Sequence, residues 1–504
     1  MSTNLKTVED GQDDGTSFAH PKSITVRRTG TPLVPDRSRV LVRPFWLTSE
    51  QRCVNLCARV MSLSEGEIRD LLDQIMAEFS GRHQQMRDLL KARFEQVQNF
   101  LLTNQKLSEA RKMVIGAYFT HEYSLEAAAL FNPSIVPHPD QSNLPEGALR
   151  FIVSFRATGE GHISSVTFRT GVVDADRNVT INTPTRFLTE PRQIPSASYD
   201  KALFERKLYE LGLTSQFSRR VLDGLGSSFT LRDLRKKTDA MLQSVRALDP
   251  ESETVARGML LLAQSNYEVQ FAPESRVSER VIFPTSPSQS NGIEDARFVL
   301  FRNDDGTRVY YATYTAFDGK VTLPQFLETS DFLHFKFITL NGPAVKNKGM
   351  ALFPRKIGEN YAMLSRQDNE NIYVMYSENL HFWYAPELVL KPTFPWEFVQ
   401  LGNCGSPIET EAGWLVLSHG VGPMRKYCIG AFLLDKEDPT RVIGRLRAPL
   451  LKPTEHEREG YVPNVVYTCG ALAHGRDLIL PYAMSDYATN FALLSIDEII
   501  AAME

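Results

Sequence analysis

The chain has 504 residues, a formal charge of −4 and an isoelectric point near 6.3. Apolar residues make up 42% and charged residues 23%, an ordinary globular balance that excludes a disordered or collagen-like chain. The weak negative charge, without a Lys/Arg run, gives no electrostatic footprint for nucleic acid, and no run approaches the ~20 apolar residues of a membrane span. Neither nucleic acid nor a membrane is therefore expected as a partner. The five cysteines (Cys53, Cys57, Cys404, Cys428 and Cys469) are odd in number and contain no C-x-x-C pair. They predict reduced, buried thiols rather than a disulfide framework or a zinc site. The opening "MSTNLKTVEDGQDDGTSF" is polar and acidic, and no secretory signal is visible in it. A cytoplasmic location is expected.

Residues 1–45 read as a flexible arm, polar with scattered Pro and Gly. From 46 to 130 apolar residues recur every three or four positions, which predicts helices. Thr48 before Gln51, and Ser64 before Glu67, look like helix N-cap signals. From 131 to 197 the period falls to two: "ALRFIVSFRATG" and "ISSVTFRTGVV" read as strands. Residues 198–265 return to helical spacing and read as an insertion. From 266 to 504 the chain is strand-rich, with short aromatic and β-branched runs separated by Gly, Asn, Asp and Pro.

One internal repeat is visible. "TSDFLHFKF" at 329–337 resembles "YSENLHFWY" at 376–384, 47 residues on. A period of roughly 40–50 residues with several strands per unit marks a β-propeller blade. Blades bury their faces by packing radially, and polar side chains far apart in sequence then meet in a central channel.

"GIEDARF" at 292–298 sets two carboxylates, Glu294 and Asp295, and Arg297 at the start of an apolar strand. Adjacent residues on a regular strand point to opposite faces, so Glu294 and Asp295 are not expected to act as a pair. Asp295 and Arg297 would share a face. Such a group suits a general acid for glycosidic cleavage. It suits equally a structural ion-pair cluster at a strand mouth.

"LFNPSIV" (130–136), "FRATG" (155–159), "GIEDARF", "YYATYTAFDG" (310–319), "KNKGMALFPRKIGENYAMLSR" (346–366), "SPIETEAGWLVLSHGV" (406–421), "EGYVPNVVYTCGAL" (459–472) and "PYAMSDYATNFAL" (481–493) follow in this order. Together they closely resemble glycoside hydrolase family 130, the β-mannoside phosphorylases and β-mannosidases. The resemblance covers most of residues 130–500, outside the helical insertion. It implies a mainly β fold, a five-bladed β-propeller, with an N-terminal helical region and a helical insertion added here. It implies that Asp295 is the general acid, passing its proton through the mannose O3 hydroxyl, with inversion at the anomeric carbon. Asn132 and Arg156 match positions that hold the mannose, and Asp486 matches a late aspartate of the same subsite. Arg297 is counted with these substrate-binding residues. Lys348 and Arg366 look like phosphate-binding cations, and His419 a third.

Two positions depart from the family pattern. Many family phosphorylases read P-x-K-T before "GWL", and that lysine contacts phosphate. Here the slot holds Glu409, and Gly349 stands where the family often has Asp. A carboxylate facing phosphate is repulsive, but opposite an acid it could deprotonate water. The expectation is therefore an inverting β-mannosidase acting on manno-oligosaccharides, with Asp295 as acid and Glu409 as base. The alternative is a phosphorylase releasing α-mannose 1-phosphate. A non-catalytic propeller that binds glycans or proteins is the rival of another class. No metal or cofactor is expected, only inorganic phosphate as co-substrate in a phosphorylase. Since family members often oligomerise, a homo-oligomer is a further expectation.

Overall fold

The computed structural model describes residues 24–30, 32–194, 198–244, 250–320 and 322–504. The first 23 residues of the expected arm lie outside the described residues. Helices Glu50–Met61, Glu65–Phe79, Met86–Val97 and Glu109–Tyr118 share a core that includes Cys53, Cys57, Leu90, Val114 and Phe119. Ser49, not Thr48, caps the first helix, and Ser64 with Glu67 forms a reciprocal capping box on the second. The helices stop at Tyr118, earlier than residue 130. The β-prone "THEYS" at Thr120–Ser124 instead pairs antiparallel with Val40–Pro44. All five cysteines are buried free thiols.

The second helical segment comprises Lys201–Glu210, Gln216–Asp223, Leu231–Ser244 and Pro250–Gln264 around Phe204, Leu208, Leu234 and Met259. It also contains a small ribbon, Ser198–Asp200 with Ser228–Thr230. Lys207 donates to the Leu340 carbonyl at 2.9 Å, and the Gly342 amide donates to Glu210 at 2.6 Å. These bonds moor the helices to the strands. Among the described residues no helix is long and apolar enough to cross a membrane.

Five groups of antiparallel strands follow one another along the rest of the chain. The first is Ala129–Pro137, Leu149–Thr158, Ser164–Val173 and Val179–Ile181. The second is Gly292–Arg302, Arg308–Phe317, Thr322–Thr329 and His334–Thr339, widened by Tyr267–Gln270 and Arg192–Ile194. A parallel contact between Gly292 and Ser164 joins these two groups into one eleven-stranded sheet. The third runs from Ala351–Leu352 through Tyr361–Ser365 and Ile372–Ser377 to Pro386–Leu390. The fourth is Gln400–Asn403, Trp414–Val421, Tyr427–Leu434 and Val442–Arg445. The fifth is Val466–Tyr467, Asp477–Met484 and Ala488–Ser495, with the early strand Arg27–Arg28 added at its edge.

Each group touches the next. Thr313 of the second donates to the Met350 carbonyl ahead of the third. The Leu401 amide of the fourth donates to the Glu370 carbonyl of the third at 3.1 Å, and Tyr427 bridges Val465 ahead of the fifth. The Leu130 amide of the first donates to the Tyr487 carbonyl of the fifth at 2.9 Å, so the last group returns to the first. The two copies of the repeat occupy equivalent places. Both span the turn from the third to the fourth strand of their group, where Asp331 and Asn379 accept backbone amides of the turn.

One buried ionic group ties the early chain to the first strands. Glu126 accepts from Arg39 at 2.9 Å and from Arg169 at 2.7 Å, and all three are buried. Glu126→Gln would leave two interior guanidiniums without their ion-pair carboxylate. It is expected to cost about 3–5 kcal/mol in urea denaturation. A loss below about 1 kcal/mol would show the cluster to be solvated.

Candidate functional site

A polar cavity of about 350 Å³ opens where the first strands of the five groups meet. Asn132 comes from the first group, Asp295 from the second, Lys348 from the approach to the third and Gln400 from the fourth; Tyr467 comes from the fifth. Later segments add Arg156, Arg366, His419, Arg425 and Asp486. Backbone irregularity aims several of these side chains. Asn132 (φ 49°) and Asp295 (φ 52°) are left-handed, and each sits at a register shift in its strand. These are β-bulges, which turn a side chain out of the strand's alternation. Arg425 (φ 54°) and Asp486 (φ 51°) are left-handed in turns. Asn and Asp tolerate this region best among non-glycine residues.

The bulge corrects the expectation for Glu294 and Asp295. They do not point to opposite faces: both reach Arg156, Glu294 at 2.8 Å and Asp295 at 3.5 Å. Asp295 Oδ1 also accepts from Asn132 Nδ2 at 2.7 Å, and Arg297 stands 4.0 Å from Oδ2. Burial alone pushes the Asp295 carboxyl up, but Arg156, Arg297, Lys348 and Asn132 together hold it well below the usual carboxylate range. Asp486 behaves oppositely. Burial, and then the neighbouring Asp295 charge, push it up to about 6 against the pull of Arg156, Arg425 and Lys348. Two acids in one cavity therefore ionise at different pH, the pattern that separates roles in acid–base sites.

The cations outnumber the carboxylates that face them. Arg156 is paired with Glu294, and Lys348 stands 3.9 Å from the same residue. Arg366 and Arg425 have no carboxylate within ion-pair distance among the described residues. Arg366 is buried and fixed: it donates to the Lys348 carbonyl at 3.2 Å, and its Nη1 lies 3.1 Å from His419 Nε2. The same packing accounts for Gly349. It has φ +88°, and a Cβ would lie 2.3 Å from Arg366 Nε, so an aspartate would collide with the guanidinium.

Of the expected site residues, the structure brings Asn132, Arg156, Asp295, Lys348, Arg366, His419 and Asp486 to this cavity. Arg297 lies beneath it, donating to the carbonyls of Cys404 and Asp295 and to the Tyr467 hydroxyl. His419 is not a third cation. Burial, then Arg366 and Arg297, hold it neutral, so it can offer only hydrogen bonds. Glu409 is absent from the cavity. Its short strand pairs with Trp414–Leu415, and its carboxylate is held by Arg355 at 2.9 Å and Lys436 at 3.4 Å in a separate surface hollow. It sits beside "GWL" in sequence, but not facing Asp295. Sequence reasoning missed Asn369, Gln400, Arg425, Tyr427 and Tyr467. None of them carries a spacing signal, and only the meeting of strand groups gathers them.

A family model described as beta-1,4-mannooligosaccharide phosphorylase, that of glycoside hydrolase family 130, matches residues 250–504. The chain belongs to glycoside hydrolase family 130. It is 34% identical over 232 residues to a 1,2-beta-oligomannan phosphorylase of Thermoanaerobacter sp. (strain X514), covering 44% of this chain and 75% of that protein. It is 29% identical over 276 residues to a beta-1,2-mannobiose phosphorylase of Listeria innocua serovar 6a, covering 52% and 74%. The solved beta-1,2-mannobiose complex of a Listeria innocua enzyme superposes with a TM-score of 0.44 at 22% identity, over 74% of this chain and 92% of the other. This member of family 130 is thus an enzyme of the mannoside-cleaving class.

In the family 130 enzyme Asp486 has a measurable signature. Its folded pKa lies above that of an unfolded aspartate, so the folded state holds the extra proton between about pH 4 and 6. Stability from this group falls as pH rises through that window and stays low above it. Asp486→Asn is therefore expected to stabilise the protein above pH 6, by up to about 3 kcal/mol, and to change little below pH 4. Denaturant melts at pH 4 and 7.5 check this; equal shifts at both would contradict it.

Proposed function

We propose that the protein is an inverting β-mannoside phosphorylase, its site carried at the centre of a five-bladed β-propeller. The ring of contacts that returns the fifth strand group to the first supports the architecture. The observation that carries the chemistry is the cation surplus: Arg366 and Arg425 face the Asp295 cavity with no carboxylate in ion-pair distance among the described residues, beside Lys348, which shares Glu294 with Arg156. Phosphate carries up to two charges and is bound by charge-assisted hydrogen bonds from such groups. The relatives named as phosphorylases favour the same reading, and so does the position of Glu409 away from the cavity. The expectation of hydrolysis rested on Glu409 as the base, and a carboxylate held by Arg355 outside the cavity cannot serve as one.

In this reading Asn132, Arg156 and Asp486 hold a terminal mannose. Phosphate attacks its anomeric carbon from the face opposite the glycosidic oxygen. The C–O bond to the leaving sugar breaks as the new C–O bond to phosphate forms, giving α-mannose 1-phosphate from a β-mannoside. The leaving oxygen takes a proton that originates at Asp295 and passes through the mannose O3 hydroxyl. The cationic neighbours of Asp295 hold its carboxyl ionised. A phosphate dianion beside Lys348 and Arg366 would offset them and let the carboxyl regain its proton. Substrate binding and acid activation are then one electrostatic event.

Product analysis on β-1,2-mannobiose and β-1,4-linked manno-oligosaccharides, with and without phosphate, tests this. Mannose 1-phosphate is expected only with phosphate. Asp295→Asn should lower its formation by about 10²–10⁴-fold, whereas Glu409→Gln should stay within about twofold of wild type. Free mannose released equally without phosphate, or a Glu409→Gln loss as deep as that of Asp295→Asn, would overturn the reading in favour of hydrolysis.

A further inference from the structure

The strand groups that meet at the Asp295 cavity meet a second time. Followed along the chain from Asn132, Asp295, Lys348, Gln400 and Tyr467, the same five segments reach Ile135, Val299, Arg355, Ser406 and Leu472. These five line the hollow of about 330 Å³ that holds Glu409. The hollow and the cavity share no lining residue. At about 3.3 Å per strand residue, Arg302 of the hollow stands roughly 20 Å from Asp295 along their common strand.

Charge in the hollow does not balance. Arg302, Arg308 and Arg355 line it against one carboxylate, Glu409. Arg355 takes that carboxylate, with Nε 3.1 Å from Oε2 and Nη2 2.9 Å from Oε1, and Lys436 stands 3.4 Å from it. Arg302 and Arg308 are left over. They are direct partners across the antiparallel pair Gly292–Arg302 and Arg308–Phe317, so they share a face, and like charges in that register repel. Both are exposed, open to an arriving ion. Among the described residues no carboxylate stands within ion-pair distance of either. The acids of the turn between them are engaged elsewhere: Asp304 pairs with Lys356 at 2.9 Å, and Asp305 accepts from the Thr307 amide at 2.9 Å and its hydroxyl at 2.6 Å. Ser406, which also lines the hollow, has a buried hydroxyl with no hydrogen-bond partner among the described residues. A buried polar group left unmet is a cost that a ligand can remove.

We propose that this hollow is a second anion site, which takes a phosphoryl group, either inorganic phosphate or a phosphate monoester. The planar fork of a guanidinium matches phosphate oxygens, and one tetrahedral anion accepts from Arg302 and Arg308 together. It thereby cancels their repulsion, and it offers an acceptor to the Ser406 hydroxyl. Apolar side chains of Ile135, Phe298, Val299 and Leu472 line much of the rest. Such low-dielectric walls focus the field of the cations on an ion between them. The site stands on its own residues and not on the phosphorylase reading. Its anion lies too far from Asp295 to attack a sugar held there, so the hollow binds without taking part in the bond that breaks.

Equilibrium dialysis with radiolabelled inorganic phosphate tests this, at about 0.15 M chloride to screen diffuse attraction. It counts phosphate bound to the full-length wild type, to Arg302→Ala/Arg308→Ala and to Arg302→Lys/Arg308→Lys. Wild type is expected to bind two phosphates per chain, one in the Asp295 cavity and one in the hollow. The alanine variant should lose one. The lysine variant keeps the charge without the fork, and should keep both with one held more weakly. Arg308→Gln, a single change at an exposed position, gives the same readout if the double variant does not fold. Unlabelled mannose 1-phosphate separates the two sources: release of the label that depends on Arg302 and Arg308 shows that the hollow takes the ester, and retention shows that it takes inorganic phosphate alone. Both uphold the site. An equal phosphate count in wild type and the alanine variant overturns it. A single phosphate in wild type that the alanine variant loses upholds the hollow and removes the phosphorylase reading instead.

Discussion

The site depends on one buried carboxylate. Asp295 sits where the first two strand groups meet, held by Asn132 and Arg156 on neighbouring strands of the first and by Arg297 of its own strand. An uncompensated interior charge would be prohibitive, and these partners make it tolerable. They also tie distant parts of the chain together, since Asn132 and Asp295 lie 163 residues apart. The bulges that aim both side chains are local departures from strand geometry, each retained where the chemistry needs it.

Around that centre the charges divide the cavity. Asp295 is ionised by cations, and Asp486 is partly neutral near pH 6 because burial, and then the charge on Asp295, raise its pKa. Arg366, clamped by Gly349 and by the Lys348 carbonyl, presents a fixed guanidinium rather than a mobile one. A pre-positioned cation loses little entropy when an anion arrives. The neutral His419 beside it supplies directionality without adding charge.

Much of this is legible in the sequence, for physical reasons. The change from a three-to-four to a two-residue period locates the helices and strands, because burial on one face enforces it. The repeat at 329–337 and 376–384 marks the passage from the third to the fourth strand in two successive groups, where Asp331 and Asn379, one repeat position apart, each accept a backbone amide. Asp295, Asn132 and Arg156 stand out through family motifs. What fails are inferences that assume regular geometry. Strict alternation separates Glu294 from Asp295, and a bulge brings both to Arg156. Glu409 is placed by its distance from "GWL", but a two-residue strand beside Trp414 carries it outward to Arg355. Arg425 lies in an irregular loop, where no periodicity signals a role.

A cation surplus that holds phosphate opposite the Asp295 proton must serve the reaction in both directions. The most direct measurement runs the reaction backwards. The enzyme is mixed with α-mannose 1-phosphate and a mannose or manno-oligosaccharide acceptor, and inorganic phosphate is followed with chain length. The account predicts phosphate release matched one-for-one by a lengthened β-mannoside, from the α anomer alone. Phosphate release without a new glycosidic bond, or no reaction with any β-mannosyl acceptor, would contradict it.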